Sequence, residues 1–225
     1  QHGINAEGKT NLLRVVELIK KYQPDLVAVQ EVDSGMITSG RLHQMRILSL
    51  LTGYNEFFGA VQQHGSGKEG LGVLSKWPIE ATQLLKLPHI DTTTAPRSLL
   101  CALLALPQNK YCRFCNTMLD DFSPLNRGLQ AAVVNEALQY SIQPVILAGD
   151  FNVQPDDHTL EAITKYWNDA GRGTDAGTHE VTGKRIDYIW TLKTSKFKLL
   201  DYRVLYEPNT SEHAPVIATY SLRFN

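Results

Sequence analysis

Cysteine is scarce, and no apolar run is long. Three cysteines in 225 residues cannot close a disulfide framework, so a small stapled scaffold is excluded. Cys112 and Cys115 form a C-x2-C pair, but no second Cys/His pair stands at zinc-site spacing. The run YCRFCNT reads as a strand, where residues three apart face opposite sides, so these are expected as two strand cysteines. No stretch approaches the roughly 18 apolar residues that a membrane-spanning helix needs. A charge excess of one sign is missing too. With 22 Lys+Arg against 23 Asp+Glu the net charge is -1, which leaves no global polycation field for duplex nucleic acid. A local basic cleft is still compatible with that balance. The sequence starts at Gln1 without a methionine or a signal-like apolar segment, so the compartment is not legible.

What is present is ordinary globular composition, 43% hydrophobic and 20% charged, at a length suited to one layered domain. KTNLLRVVELIKKYQ carries a helical stripe at Leu12, Val15, Val16 and Ile19, stopped by Pro24. LVAVQ (26–30) reads as a short strand, and LHQMRILSLL (42–51) as a helix ending near Gly53. Then come short β-rich runs separated by turn signals, with HGSGKEG (64–70) read as a mobile loop. A helix is expected at 125–141, a strand at PVILAG and a short helix at 157–166. Closing strands are expected at 186–191, 197–205 and 215–223. Strands in hairpin runs with helices between some of them indicate α+β organisation, best met by two packed sheets with helices outside. One domain, a monomer, is expected.

Several residues capable of chemistry share one placement, at the ends of apolar strands. Glu31 follows LVAVQ, Asp150 and Asn152 follow PVILAG, Asp187 begins DYIW, and Glu212 and His213 precede APVIATY. Taken singly, each has an ordinary explanation as a solvated charge or a cap. Four recurrences of the same placement point to a rim where rigid strands present side chains. The residue types suit hydrolysis of a phosphoester. Glu31 and Glu212 are candidate ligands of a hard divalent cation, and Asp150 would position or deprotonate water. Asn152 would orient that water, and His213, its tautomer fixed by Asp187, would meet the phosphate. Arg97 and Arg127 are the first candidates for substrate contact, with Arg41, Lys68 and Lys184 behind them.

PDLVAVQEVD, GVLSKWPI, FCNTMLDDF, VILAGDFNVQPD, RIDYIW and SEHAPVIATY, in that order, resemble the endonuclease/exonuclease/phosphatase superfamily. That superfamily includes deoxyribonuclease I, AP endonucleases, neutral sphingomyelinases and inositol-polyphosphate 5-phosphatases. The resemblance implies a four-layered α/β/β/α sandwich and Mg²⁺- or Mn²⁺-dependent phosphoester cleavage. It makes Glu31 the metal-binding glutamate, Asp150 the water-activating aspartate and Asn152 the phosphate-side asparagine. His213 becomes the histidine beside the scissile phosphate, Asp187 its partner, and Glu212 the second metal-associated acid.

Three departures matter. The resemblance implies a strand ahead of the first helix that ends in an asparagine near the metal. The sequence begins at QHGIN, so the domain at 1–225 is expected without that strand. Met118 stands in NTMLD where many members read NTHLD, and a thioether cannot donate to phosphate or carry a proton. The AP-endonuclease branch lacks that histidine too. SEH replaces the usual SDH, which lengthens the acid at Glu212 by a methylene. The leading expectation is therefore an active metal-dependent phosphoesterase on a phosphodiester, lipid headgroup or sugar phosphate. Nucleic acid is the substrate that the net charge favours least. The alternatives are a degenerate member that binds a phosphorylated ligand or partner, and an interaction protein whose rim residues are scattered.

Overall fold

A computed structural model describes residues 2–3, 11–207 and 210–224 of the chain. The expectation of an absent first strand concerns the start of the chain, where Gln1, Ile4 and Asn5 lie outside the described residues. The first helix, α1 (Leu12–Tyr22), follows from its apolar stripe, which buries Leu12, Val16, Leu18 and Ile19. Lys20 and Lys21 complement the carbonyl end of its dipole, and Gln23 closes it in the left-handed conformation just before Pro24. The elements that follow are β1 (Leu26–Ser34), α2 (Gln44–Thr52), β2 (Asn55–His64), β3 (Gly67–Ser75) and β4 (Ile79–Lys86). Next come β5 (Ser98–Leu106), β6 (Lys110–Met118), α3 (Pro124–Leu138), β7 (Val145–Asp150) and α4 (Glu161–Thr164). The chain ends with β8 (Trp167–Asp169), β9 (Asp187–Leu192), β10 (Phe197–Val204) and β11 (Val216–Leu222).

These strands form two layers. One is a six-stranded sheet in the order β4-β5-β6-β7-β9-β8. The other comprises the sheet β1-β3-β2 and the ribbon β10-β11. Among the described strand pairs only β6 and β7 run parallel, because α3 crosses between them; the rest are antiparallel. Three apolar clusters hold the layers together. Leu71 and Val73 of β3 meet Leu100, Ala102 and Phe114 between the sheets. Val16 and Ile19 of α1 and Leu48 of α2 cover β1 and β3 on one side. Val134 and Leu138 of α3 cover Leu147 and Trp190 on the other. The result is the expected four-layered α/β/β/α sandwich of two mainly antiparallel sheets. Among the described residues β1 and β11 each keep one edge without a strand partner, and a cavity of about 730 Å³ lies between them.

Four local expectations change. HGSGKEG is not a loop: β2 and β3 stay paired through His64↔Gly67, leaving only Gly65 and Ser66 to turn. The glycine-rich composition signals a turn, but the ladder bonds extend to its edges. The expected helix at 157–166 is a 3₁₀ turn, His158–Leu160, running into α4. A short strand, β8, follows and pairs with β9, where the sequence analysis placed nothing. Lastly, Cys112 and Cys115 are both strand cysteines on β6, as expected, but Cys115 has a partner that the spacing did not show. It faces Cys101 directly across the β5–β6 ladder and is bonded to it. Cys112 points to the other face, as strand alternation requires, and burial pushes its thiol up to about 12, leaving it inert.

Candidate active site

The site grows from the ends of β7 and β9. Gly149 permits the approach, since a Cβ there would stand 2.0 Å from the Thr117 carbonyl oxygen on the neighbouring strand. Asp150 ends β7 directly opposite Asp187, which begins β9. Phe151 then turns inward, fully buried, and packs edge-on against Tyr188 and Trp190. That anchor fixes the turn, and Asn152 takes the left-handed conformation (φ 55°) that asparagine tolerates. The Asn152 amide nitrogen donates to Asp150 Oδ1 at 2.8 Å, while its side chain donates to the Leu119 carbonyl at 2.9 Å.

Two carboxylates opposite one another on adjacent strands repel. Asp150 shows the consequence. Burial first, then the Asp187 charge and to a smaller degree Glu31, push its carboxyl up to about 7 against the opposing pull of His213 and the Asn152 N–H. His213 moves upward as well. Burial alone would lower it, but the hydrogen bond to Asp187 and the charges of Asp187 and Asp150 outweigh that. His213 Nδ1 lies 2.9 Å from Asp187 Oδ2 and 3.1 Å from Oδ1. A carboxylate only accepts, so Nδ1 carries the proton that Asp187 receives.

Thr178, which no sequence pattern marks, completes this arrangement. The residue is fully buried, and its hydroxyl donates to Asp187 Oδ2 at 2.6 Å. It also accepts the backbone N–H groups of Ile186 and Asp187, both at 3.0 Å. A threonine in an irregular segment gives no periodic signal, so only the fold reveals it. Asn116 is unmarked in the same way. Fully buried on β6, it donates to the carbonyls of Val29 and Gly72 and accepts from Gln30, tying the two sheets beneath the site.

Glu31 falls where the β1–β3 register slips between Val29 and Val32, and it has a φ of 51°. A bulge with a non-glycine residue in that conformation is strained backbone that re-aims a side chain. The Glu31 charge acts on Asp150, so β1 brings this residue to the same end of the sandwich. Met118 ends β6 in register with Asp150. Glu212 is half-buried beside His213, and its carbonyl accepts the Glu180 N–H at 2.7 Å. Arg97 and Arg127 are both buried. Arg97 Nη2 pairs with Asp121 Oδ1 at 2.8 Å and lines a small pocket with Glu31 and Met118. Arg127 Nη1 donates to the Asp120 carbonyl at 2.8 Å. Arg41, Lys68 and Lys184 are exposed.

Asp150, Asp187 and His213 each offer a ligand atom, all within 4.8 Å of one another. Glu31 and Glu212 are outside that group of three. A carboxylate pair of buried Asp150 and half-buried Asp187 fits a hard divalent cation such as Mg²⁺ or Mn²⁺, because added positive charge relieves their repulsion.

Comparison with known proteins agrees with this geometry. The profile of the Endonuclease/Exonuclease/phosphatase family matches residues 4–200. A search of curated protein sequences returned no match. Among solved structures, an endonuclease/exonuclease/phosphatase from Beutenbergia cavernae aligns at 20% identity over 98% of this chain and 69% of its own, with a TM-score of 0.82. A mannosyl-6-phosphatase from Bacteroides thetaiotaomicron aligns at 18% identity over 94% of this chain and 91% of its own, TM-score 0.78. The human Nocturnin catalytic domain with bound sulfate aligns at 18% identity over 98% and 88% respectively, TM-score 0.75. At such identities these structures share the fold.

Proposed function

Because the chain belongs to the endonuclease/exonuclease/phosphatase family, a family of phosphoesterases, we propose that it hydrolyses a phosphoester by water attack with the help of Mg²⁺ or Mn²⁺. The observation that carries this is the meeting of Asp150 and Asp187, at two strand ends, with His213 from the segment before β11, and with Asp150 poised near neutrality. A general base works best with a pKa near the working pH, and Asp150 meets that condition. Asp150 takes the proton of the attacking water, and Asn152, bonded to it, orients that water. Asp187 accepts the His213 Nδ1–H, so that in the protonated ring Nε2 is the nitrogen free to donate to the phosphoryl oxygens. Glu31 and Glu212 are the acids assigned to the cation. A divalent cation bound there supplies positive charge against the non-bridging oxygens. Arg97, and behind it Arg127, are assigned to the substrate side. The chain acts as one domain over 1–225 and as a monomer.

The near-zero net charge favours a small phosphodiester, a lipid headgroup or a sugar phosphate over duplex DNA. Hydrolysis of bis-(p-nitrophenyl) phosphate with Mg²⁺ or Mn²⁺, against Asp150→Ala and chelator controls, tests the reaction. A folded wild-type chain as silent as Asp150→Ala with both metals would remove the enzyme reading. A second reading rests on Met118, which puts a thioether in register with Asp150 where many relatives have an imidazole. It makes the chain a binder of phosphorylated ligands with little turnover, and it predicts phosphate binding without hydrolysis in the same assay.

A further inference from the structure

We propose that His179 is a second imidazole donor of the site, contacting the substrate's phosphoryl group beside His213. The inference rests on the phosphoester reading above and adds a residue to it.

The segment from Gly177 to Lys184 is closed tightly on itself. The backbone N–H groups of Thr178 and His179 both donate to the Lys184 carbonyl at 2.9 Å, and the Gly183 N–H donates to the His179 carbonyl at 2.8 Å. A Cβ on Gly177 would stand 2.3 Å from the Gly183 oxygen, so only glycine allows this closure. The loop is then fastened to the segment that carries His213, just ahead of β11. His179 and His213 form an antiparallel bridge, the Ala214 N–H donates to the Thr178 carbonyl at 2.7 Å, and the Glu180 N–H donates to the Glu212 carbonyl at 2.7 Å. The imidazoles consequently meet edge to face, with centroids 4.9 Å apart.

The hydrogen bonding of His179 fixes its tautomer. Nδ1 accepts the Thr182 backbone N–H at 3.3 Å, so the neutral ring carries its proton on Nε2, on the opposite side. Among the described residues Nε2 has no hydrogen-bond partner. His179 is half-buried, so its Nε2–H is open to a ligand or solvent rather than enclosed by the protein. Here one nitrogen holds the loop, and the ring carrying the other, an N–H donor, stands 4.9 Å from the His213 ring. A tetrahedral oxyanion with several acceptor oxygens is the ligand chemistry that this donor suits, with His213 Nε2 a second donor when its ring is protonated.

Inorganic phosphate in the presence of Mg²⁺, titrated calorimetrically, is the probe. Wild type should bind it. His179→Phe keeps the edge-to-face packing without the donor and should bind phosphate about tenfold more weakly, the loss expected for one hydrogen bond to a charged group. His179→Gln restores a donor at similar reach and should stay within about threefold of wild type. His179→Asn, whose amide is shorter, should be as weak as the phenylalanine variant and replaces it if the phenyl ring disturbs the loop. In turnover the same variants should raise KM more than they lower kcat. Equal phosphate affinity in wild type, His179→Phe and His179→Asn would overturn the role of His179 alone. No phosphate binding by folded wild type would overturn the phosphoester reading beneath it.

Discussion

The Thr178 hydroxyl reaches Asp187 Oδ2 at 2.6 Å, on the same oxygen that lies 2.9 Å from His213 Nδ1. One carboxylate oxygen is thus held from two sides, and the imidazole inherits its orientation from a threonine outside any strand or helix. Replacing Thr178 by valine keeps the volume, removes the donor and leaves the N–H groups of Ile186 and Asp187 without their acceptor. We expect Thr178→Val to lower kcat about tenfold and to shift the imidazole limb of the pH–rate profile, with Thr178→Ser restoring both. A kcat and profile unchanged in the valine variant would show that Asp187 holds its place unaided.

Asp150 makes stability depend on pH. In the folded chain it keeps its proton up to about 7, whereas in the unfolded chain it ionises at an ordinary aspartate value, near 4. Below that lower value both states are protonated and the contribution is fully present. Between the two values unfolding releases a proton, so stability falls as pH rises through Asp150's folded pKa. His213, also raised, adds a loss of the same sign above its ordinary 6.5. The metal-free Tm should drop by roughly 3–6 °C between pH 5 and 7 in wild type and by less in Asp150→Asn. Mg²⁺ competes with that proton and should raise Tm more at pH 8 than at pH 5.5. Parallel pH slopes in the two proteins would contradict the assignment.

The bridge between Cys101 and Cys115 spans 14 positions, a loop whose closure is worth about 3 kcal/mol. Reduction, or the double replacement Cys101→Ala/Cys115→Ala, should lower Tm by roughly 5–10 °C. Alkylation of the denatured, unreduced protein should tag Cys112 alone, and reduction should expose the other two thiols. Three tagged thiols without reductant would rule the bridge out.

The convergence of candidate residues was legible where strands end, and the reason is physical. A buried strand has no local use for a terminal acid or imidazole, so Asp150, Asp187 and His213 stood out, and these are the three that converge. The two sheets were legible from strand runs bounded by turn residues. Thr178, His179 and Asn116 were not, because each works through a partner distant in sequence or inside an irregular loop. The Cys101–Cys115 pair depended on the β5–β6 register, which no spacing rule supplies. HGSGKEG misled for the opposite reason: local composition spoke for a loop, and a two-residue turn with ladder pairing on both sides won. In the sequence Arg97 and Arg127 lie next to strand ends. The fold buries both, one on Asp121 and the other on the Asp120 carbonyl, a context visible only in three dimensions.

Met118 gives the sharpest test of how much catalytic power the site holds. It lies in register with Asp150 on the adjacent strand and borders the same pocket as Glu31 and Arg97. Its thioether fills space there but neither donates to an oxyanion nor carries a proton. An imidazole at this position would add a donor within reach of the phosphoryl group, and a positioned acid or donor contributes about 10²–10⁴ in rate when fully aligned. Alignment in an unadapted pocket is incomplete, so Met118→His should raise kcat on bis-(p-nitrophenyl) phosphate about tenfold, with little change in KM. Met118→Leu, matched in volume, should leave kcat within about twofold of wild type. The pair separates donor chemistry from packing. Should histidine and leucine give the same rate, the phosphoryl group is not handled at this end of β6, and the working donors are His213 and its neighbours.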